Sequence, residues 1–171
     1  MSNIFITADT HFGHANILKH CHRPYSCVDE MDEDLIKKWN ERVTKNDLVY
    51  HGGDFAWHST KRYIDRLNGD IILIQGGHDR QTSSFRFVHK LLDTVIDDQP
   101  ITLCHYCMRV WHRSHYNAWH LFGHSHGGLE PLGKSWDVGV DNNNYYPLSW
   151  DEIKDIMKDR SDNFNLVRRG R

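Results

Sequence analysis

Apolar positions along this chain switch between two periods, and the switches mark its elements. Residues 3–8 (NIFITA) form a short β-branched apolar run of the kind that builds a strand. The polar stretch 9–24 (DTHFGHANILKHCHRP) predicts a loop leading into a brief helix that Pro24 ends. Helical spacing is clearest over 31–43 (MDEDLIKKWNERV): Leu35, Ile36, Trp39 and Val43 share one face, acids occupy the first turn and bases follow. Residues 47–54 (DLVYHGGD) predict a second strand ending in glycines. Residues 59–69 (STKRYIDRLNG) predict a helix with a Ser or Thr cap, a stripe through Tyr63, Ile64 and Leu67, and an Asn-Gly stop. The run 70–77 (DIILIQGG) is almost wholly apolar and reads as a central strand. Further strands are expected at 101–105 (ITLCH), 118–124 (AWHLFGH) and 136–140 (WDVGV). A last helix at 149–159 opens with Ser149 and carries Glu152 three residues on, the capping-box pair.

Strands alternating with helices, followed by closely spaced strands, predict a layered α/β protein. No repeat, low-complexity tract or linker divides the 171 residues, so a single domain spanning 1–171 is expected. The absence of a membrane-length apolar run or a leader-like N-terminus makes a soluble, cytoplasmic protein the expectation. A net charge of −2 argues against a general nucleic-acid or membrane binder, and no long nucleic acid is expected as a partner. The basic cluster Arg168, Arg169 and Arg171 reads as a frayed, solvated terminus. Cys104 and Cys107 form a C-x-x-C that Cys21 and Cys27 would complete as a zinc site, although a short strand ending at a histidine explains ITLCHYC as well.

Fourteen histidines change the picture, and their placement matters more than their number. His58, His89, His112 and His115 are scattered on polar segments. The rest of the signal sits at predicted strand ends: Asp9-Thr10-His11, Gly53-Asp54, Gly76-Gly77-His78-Asp79, His105, and Gly123-His124-Ser125-His126. In an open α/β sheet the carboxyl ends of strands are where ligands bind. In D-T-H and H-S-H one residue separates the polar pair, so on an extended strand both side chains reach the same face and one ion. Carboxylates with imidazoles suit Mn²⁺, Fe, Zn²⁺ or Ni²⁺ and disfavour Ca²⁺. A lone D-x-H is common by chance; five fragments in this order, each after a predicted strand, are not.

This order resembles that of the calcineurin-like metallophosphoesterase family, whose pattern is D-x-H, G-D, G-N-H-D/E, a lone His and G-H-x-H. The likeness runs from Asp9 to the closing DVGVD at 137–141, and ADTHFGHANI, with His14 after the first pair, is most similar to a compact bacterial and phage-type branch. The resemblance implies a four-layer α/β/β/α sandwich and two divalent transition metals, manganese first. Asp9, His11 and His126 would hold one metal, His105 and His124 the other, with Asp54 bridging. A water between the two ions would attack the phosphorus of a phosphodiester or, second choice, a phosphomonoester. His78 would face the scissile phosphate and protonate the leaving oxygen.

At one position the chain departs from that pattern. The family Asn, a ligand of the second metal, is Gly77 here. Asn and Gly both tolerate left-handed backbone, so the turn should survive and only the ligand be lost. Three readings stand open: water takes the vacant position and leaves a weaker, working second site; the second site is too weak to fill; or the residue is a deliberate substitution that disables the enzyme. The retained ligands favour an enzyme; the alternative is an impaired member serving as a protein-binding scaffold. A small phosphate ester, possibly a nucleotide, is the expected substrate. His14 is a candidate for substrate contact or for orienting a ligand. Trp57, Tyr106, Trp111 and Trp119 offer stacking surfaces, with packing in the core the simpler reading. Arg23, Arg80, Arg109 and Arg113 offer phosphate contacts, with surface charge the simpler reading for each; Arg80, two residues after His78, is the best placed.

Overall fold

The computed structural model describes residues 2–167. In chain order its elements are β1 (Ile4–Thr7), α1 (Ile17–His20), α2 (Val28–Arg42), β2 (Leu48–His51), α3 (Thr60–Ile64), β3 (Asp70–Ile74), β4 (Phe87–His89), β5 (Leu91–Ile96), β6 (Gln99–Cys104), β7 (Trp119–Phe122), β8 (Ser135–Asp137), β9 (Leu148–Ser149) and α4 (Trp150–Lys158). The α/β class expected from the pattern is observed. One sheet has the order β4-β3-β2-β1-β9, parallel except for β9, and the other the order β5-β6-β7-β8, in which only β5 and β6 run antiparallel.

The first sheet is buried on both faces, which is why its strands read as nearly continuous apolar runs. Phe5, Val49, Ile71 and Leu73 point to one side, into a core completed by Met31, Leu35, Ile36 and Trp39 of α2 and Tyr63 of α3. Ile6, Tyr50 and Ile74 point to the other, against Ile101, Leu103 and Leu121 of the second sheet. Trp150, Ile153 and Met157 bring α4 into this second core, and the capping box forms as expected: Ser149 Oγ accepts from the Glu152 amide and Glu152 Oε2 from the Ser149 amide. The far side of the second sheet carries buried Thr102 and His120 beneath the segment that follows β6.

Several boundaries differ from the pattern. Helix α2 starts at Val28, three residues early, and α3 is a single turn whose Ser59 lies in left-handed backbone without capping it. Strands β4 and β5 were not anticipated. They are edge strands with Phe87, Val88, Leu91 and Val95 exposed, so apolar residues stand on the solvent side and the sequence shows no alternation even though burial alternates along β5. The basic terminal cluster Arg168, Arg169 and Arg171 lies outside the described residues.

His120 fastens the second sheet to its cover. One ring nitrogen meets the Thr102 carbonyl at 3.1 Å, and the other accepts from the Met108 amide at 3.1 Å, so the ring is held neutral. Burial lowers its pKa from the ordinary histidine value. The folded state therefore resists a proton that the unfolded chain accepts below pH ~6.5, and stability contributed by neutral His120 is lost as pH falls through that value toward the folded pKa. Replacing His120 with Gln should flatten the stability–pH slope below pH ~6.5 by about one proton, or ~1.4 kcal/mol per pH unit. Urea melts of both proteins at pH 5 and 8 measure this; equal slopes would refute it.

Candidate metal centre

All the polar fragments singled out in the sequence meet at one end of the two sheets, just past β1, β2, β3, β6 and β7. The means differs from the extended alternation expected for D-T-H and H-S-H. Asp9, His11, Asp54, His124 and His126 all have positive φ, between 48° and 67°. These side chains converge because the chain twists into left-handed corners where β1, β2 and β7 end, a conformation that costs non-glycine residues about 1–2 kcal/mol apiece. Strain of this kind persists where the surroundings over-determine it.

Three devices impose the corners. The Asp9 and His11 amides donate to the carbonyls of Gly53 and Asp54 at 2.9 Å, tying the first two loops together. The buried Asp79 carboxylate accepts from the amides of Asp54, Phe55 and Gly76, each at 2.8 Å, tying the second to the third. His51 bridges Thr10 Oγ1 at 3.0 Å and the Gly53 amide at 3.2 Å. Gly53, at φ 101°, leaves no room for a side chain: a Cβ would stand 2.6 Å from both the Ile74 carbonyl oxygen and the Gly76 amide nitrogen.

Two groups of candidate ligands result. Asp9, His11 and His126 form one; Asp54, His105 and His124 the other, with ligand atoms in each lying within 4.8 Å of one another. Asp54 Oδ2 lies between them, 3.6 Å from His11 Nε2 and 3.4 Å from His105 Nε2. Asp9 Oδ1, His11 Nε2 and His105 Nε2 are buried without a hydrogen-bond partner. Leaving such atoms unmatched costs about 1–3 kcal/mol each, which a cation at their focus would remove. His105 directs Nδ1 at the Gly52 carbonyl, 2.9 Å away, and His126 directs Nδ1 at Asp141 Oδ2, 2.7 Å away, leaving Nε2 of each ring facing inward. Outer partners of this kind orient and sharpen metal-binding imidazoles. The residues present therefore fit a metal centre.

Charge tells the same story. Burial pushes the Asp9 carboxyl up to about 7 and holds His11 well below the usual imidazole range. Burial also opposes ionisation of Asp54, but His105 and the His78 amide outweigh it and hold the carboxyl below the usual range. A cation would favour the ionised carboxylates and the neutral imidazoles together.

A third grouping, Cys21 with His126 and Asp141, is a poorer place for a cation. Arg23 occupies both Asp141 oxygens at 2.8 Å, and burial pushes the Cys21 thiol up to about 11. All four cysteines are free, and no grouping among the described residues contains two of them, so the zinc reading of C-x-x-C is not met.

A cavity of about 700 Å³ opens over the two groups, lined among others by His11, His14, Asp54, Trp57, His78 and His124. The half-exposed His78 ring has Nε2 3.9 Å from Asp54 Oδ2, and its amide donates to Asp54 Oδ1 at 2.9 Å. His14 Nδ1 faces His11 Nδ1 at 3.2 Å, and its ring stacks on Trp57 at 4.2 Å. Trp57, for which core packing is the simpler expectation, is 38% exposed. Tyr106 sits edge-on to His105 and His124. Trp111 and Trp119 hold the frame instead, one donating to the Ala118 carbonyl at 2.9 Å and the other packing on Trp150. Arg109 lies over the Phe164 ring and Arg113 on a left-handed corner, neither among the residues lining the cavity. Arg23 is neither a surface charge nor a phosphate contact: it is buried and bonded to Asp141 and to the Asp9 and Thr10 carbonyls. Asp141 and His51 escaped sequence reasoning as supporting residues; the closing DVGVD held the only signal for the first.

Gly77 also departs from expectation, since its backbone is not left-handed. A Cβ there would meet only the Tyr106 hydroxyl, at 3.2 Å, so the position tolerates a side chain if Tyr106 gives a few tenths of an ångström.

No family model matches the chain. The uncharacterized protein MJ1445 of Methanocaldococcus jannaschii is 34% identical over 174 residues, which cover 92% of this chain and 93% of that one. Among solved structures, AQ665 of Aquifex aeolicus, a protein of unknown function, shares the fold: 22% identity over 91% of this chain and all of its own, with a TM-score of 0.73. A structurally and functionally characterized archaeal phosphodiesterase superposes less closely, at 18% identity over 80% of this chain and 82% of its own, with a TM-score of 0.48. Among the described residues no helix is long and apolar enough to cross a membrane.

Proposed function

Since this chain belongs to one family with the Methanocaldococcus protein, and since its strand ends carry in order the ligand series of the calcineurin-like metallophosphoesterases, we propose that it is a metal-dependent phosphoesterase. It would act, as a single domain, on a small phosphodiester, with a phosphomonoester the second choice. The observation that carries the reading is the pair of three-residue ligand groups meeting at Asp54 Oδ2, with three buried lone pairs unmatched. Divalent transition-metal ions, manganese before iron, zinc or nickel, would supply Lewis acidity and an activated water there. Asp9, His11 and His126 would hold one, and Asp54, His105 and His124 the other. His126 and His105 keep their inward nitrogens free through Asp141 and the Gly52 carbonyl. His78, at the mouth of the cavity, would hold the proton for the leaving oxygen. His14 would steady the His11 ring. The four-layer α/β/β/α sandwich belongs to the same reading, with the segment after β6 taken as the outer layer on the second sheet.

The test is hydrolysis of bis(p-nitrophenyl) phosphate against added Mn²⁺ for this chain and for Gly77→Asn, with bound metal counted in both. Activity in both, with fuller loading in the Asn variant, is the expected result. An Asn side chain beside Tyr106 adds a donor, and stability changes little if the Tyr106 hydroxyl gives by a few tenths of an ångström, because the backbone there is not left-handed. Silence in this chain with activity in the variant would make Gly77 a disabling residue. Silence and no metal in either would sink the enzyme reading and favour the scaffold.

A further inference from the structure

The cavity over the ligand groups does not end at His78. Trp57 and His78 also wall a smaller hollow of about 210 Å³ beside it, and Arg80 and Gln81 pass from that hollow into a third of about 450 Å³. The third is polar, its walls including Arg62 and Thr82. Three adjoining hollows that share lining residues make one groove: metal-binding end, aromatic wall, basic end. At the basic end two guanidinium groups have no carboxylate partner within ion-pair distance among the described residues, and Arg62 also lies over the Tyr63 ring at 5.7 Å. Lys61 is paired to Asp65 at 2.6 Å, whereas Arg80 and Arg62 make no ion pair among the described residues, and both are exposed. Trp57 stacks one face of its indole on the His14 ring at 4.2 Å and lies 5.1 Å from the His78 ring, which leaves its exposed remainder for a base.

From this arrangement we infer that the groove binds a short single-stranded oligonucleotide, with the scissile phosphate over the ligand groups, a base against Trp57 and the neighbouring phosphate at Arg80 and Arg62. The inference rests on the phosphoesterase reading of the site it extends, and it supplies the substrate class. Its chemistry is that of single-strand binding generally: aromatic stacking is indifferent to base identity, and guanidinium groups take phosphate oxygens bidentately. A groove with two free cations matches one or two phosphates beyond the scissile one, which agrees with a chain of net charge −2 that has no stripe for a long backbone.

The test compares the full chain with Arg62→Gln/Arg80→Gln and with Trp57→Ala. With Mn²⁺ present, kcat/KM is measured on bis(p-nitrophenyl) phosphate and on tetrathymidylate. With EDTA present, binding of a 5′-labelled tetrathymidylate is followed by anisotropy across a salt series. The double variant should lose about tenfold more on the tetranucleotide than on the small diester, mostly in KM. Its binding should weaken likewise, and the slope of log K against log salt should fall by roughly 0.7–1.4. Trp57→Ala should weaken binding about tenfold at every salt concentration. Equal losses on both substrates, or binding unchanged in the double variant, would overturn the inference. So would displacement of the label by thymidine monophosphate as readily as by the tetranucleotide. Arginine-dependent binding with neither substrate hydrolysed would instead remove the phosphoesterase reading and leave the groove as an oligonucleotide site.

Discussion

Asp54→Asn should lower metal-dependent hydrolysis by at least about a thousandfold and release metal from the protein while leaving it folded. The side chain is nearly isosteric, so Asp54 Oδ1 keeps an atom that accepts the His78 amide at 2.9 Å, and the Asp54 amide still donates to Asp79. What the variant loses is the negative oxygen that lies 3.6 Å from His11 Nε2 and 3.4 Å from His105 Nε2. A neutral amide there supplies at best a carbonyl oxygen to one group and none of the charge that both share. Metal content by mass spectrometry of the intact protein, read beside the rate, separates the outcomes. Full metal with full activity would end the idea that Asp54 joins the two groups. Full metal with no activity would keep Asp54 in the chemistry but not in retention of the ions.

Arg23→Gln should be the most damaging change to stability outside the apolar cores. The guanidinium is buried and spends its donors on Asp141 Oδ1 and Oδ2 at 2.8 Å, the Thr10 carbonyl at 3.0 Å and the Asp9 carbonyl at 2.6 Å. Removing it strands the Asp141 carboxylate, which Arg23 and His126 together hold below the usual carboxylate range even though burial works against its charge. Breaking one side of a buried ion pair costs about 3–5 kcal/mol, which in a protein of this size lowers Tm by roughly 6–20 °C. Adding Asp141→Asn to Arg23→Gln should recover part of the loss, because the stranded charge is then gone. A Tm within about 2 °C of the parent for Arg23→Gln would mean the arginine is the surface charge that its sequence context suggests. Metal content should fall as well, since Asp141 is what keeps His126 Nε2 turned inward.

Much of the site was legible because its residue types are rare together. The D-x-H, G-D, lone His and H-x-H fragments each follow an apolar run, and apolar runs are what period reveals. The central strands, α2 and the Ser149–Glu152 capping box were readable for the same reason: burial and hydrogen bonding there act between near neighbours. Strands β4 and β5 were not readable, since these edge strands expose apolar residues and their sequences do not alternate. Trp57 and Trp119 are the same residue type at similar distances from candidate ligands, and composition could not tell an exposed wall from a packing residue. Arg80 stood out only by its nearness to His78, and nothing in the sequence marked Arg23 as buried.

By itself the sequence determined which strands end in loops that carry carboxylates and imidazoles, and that position 77 offers no side chain. Only the tertiary structure decided how they meet: through left-handed corners rather than along a strand, in two groups with Asp54 between, backed by Asp141, Asp79 and His51. The physical reason is distance along the chain. Asp9 and His126, or Asp54 and His105, are brought together by the packing of one sheet on another and by buried polar bonds, and no local period in the sequence encodes those.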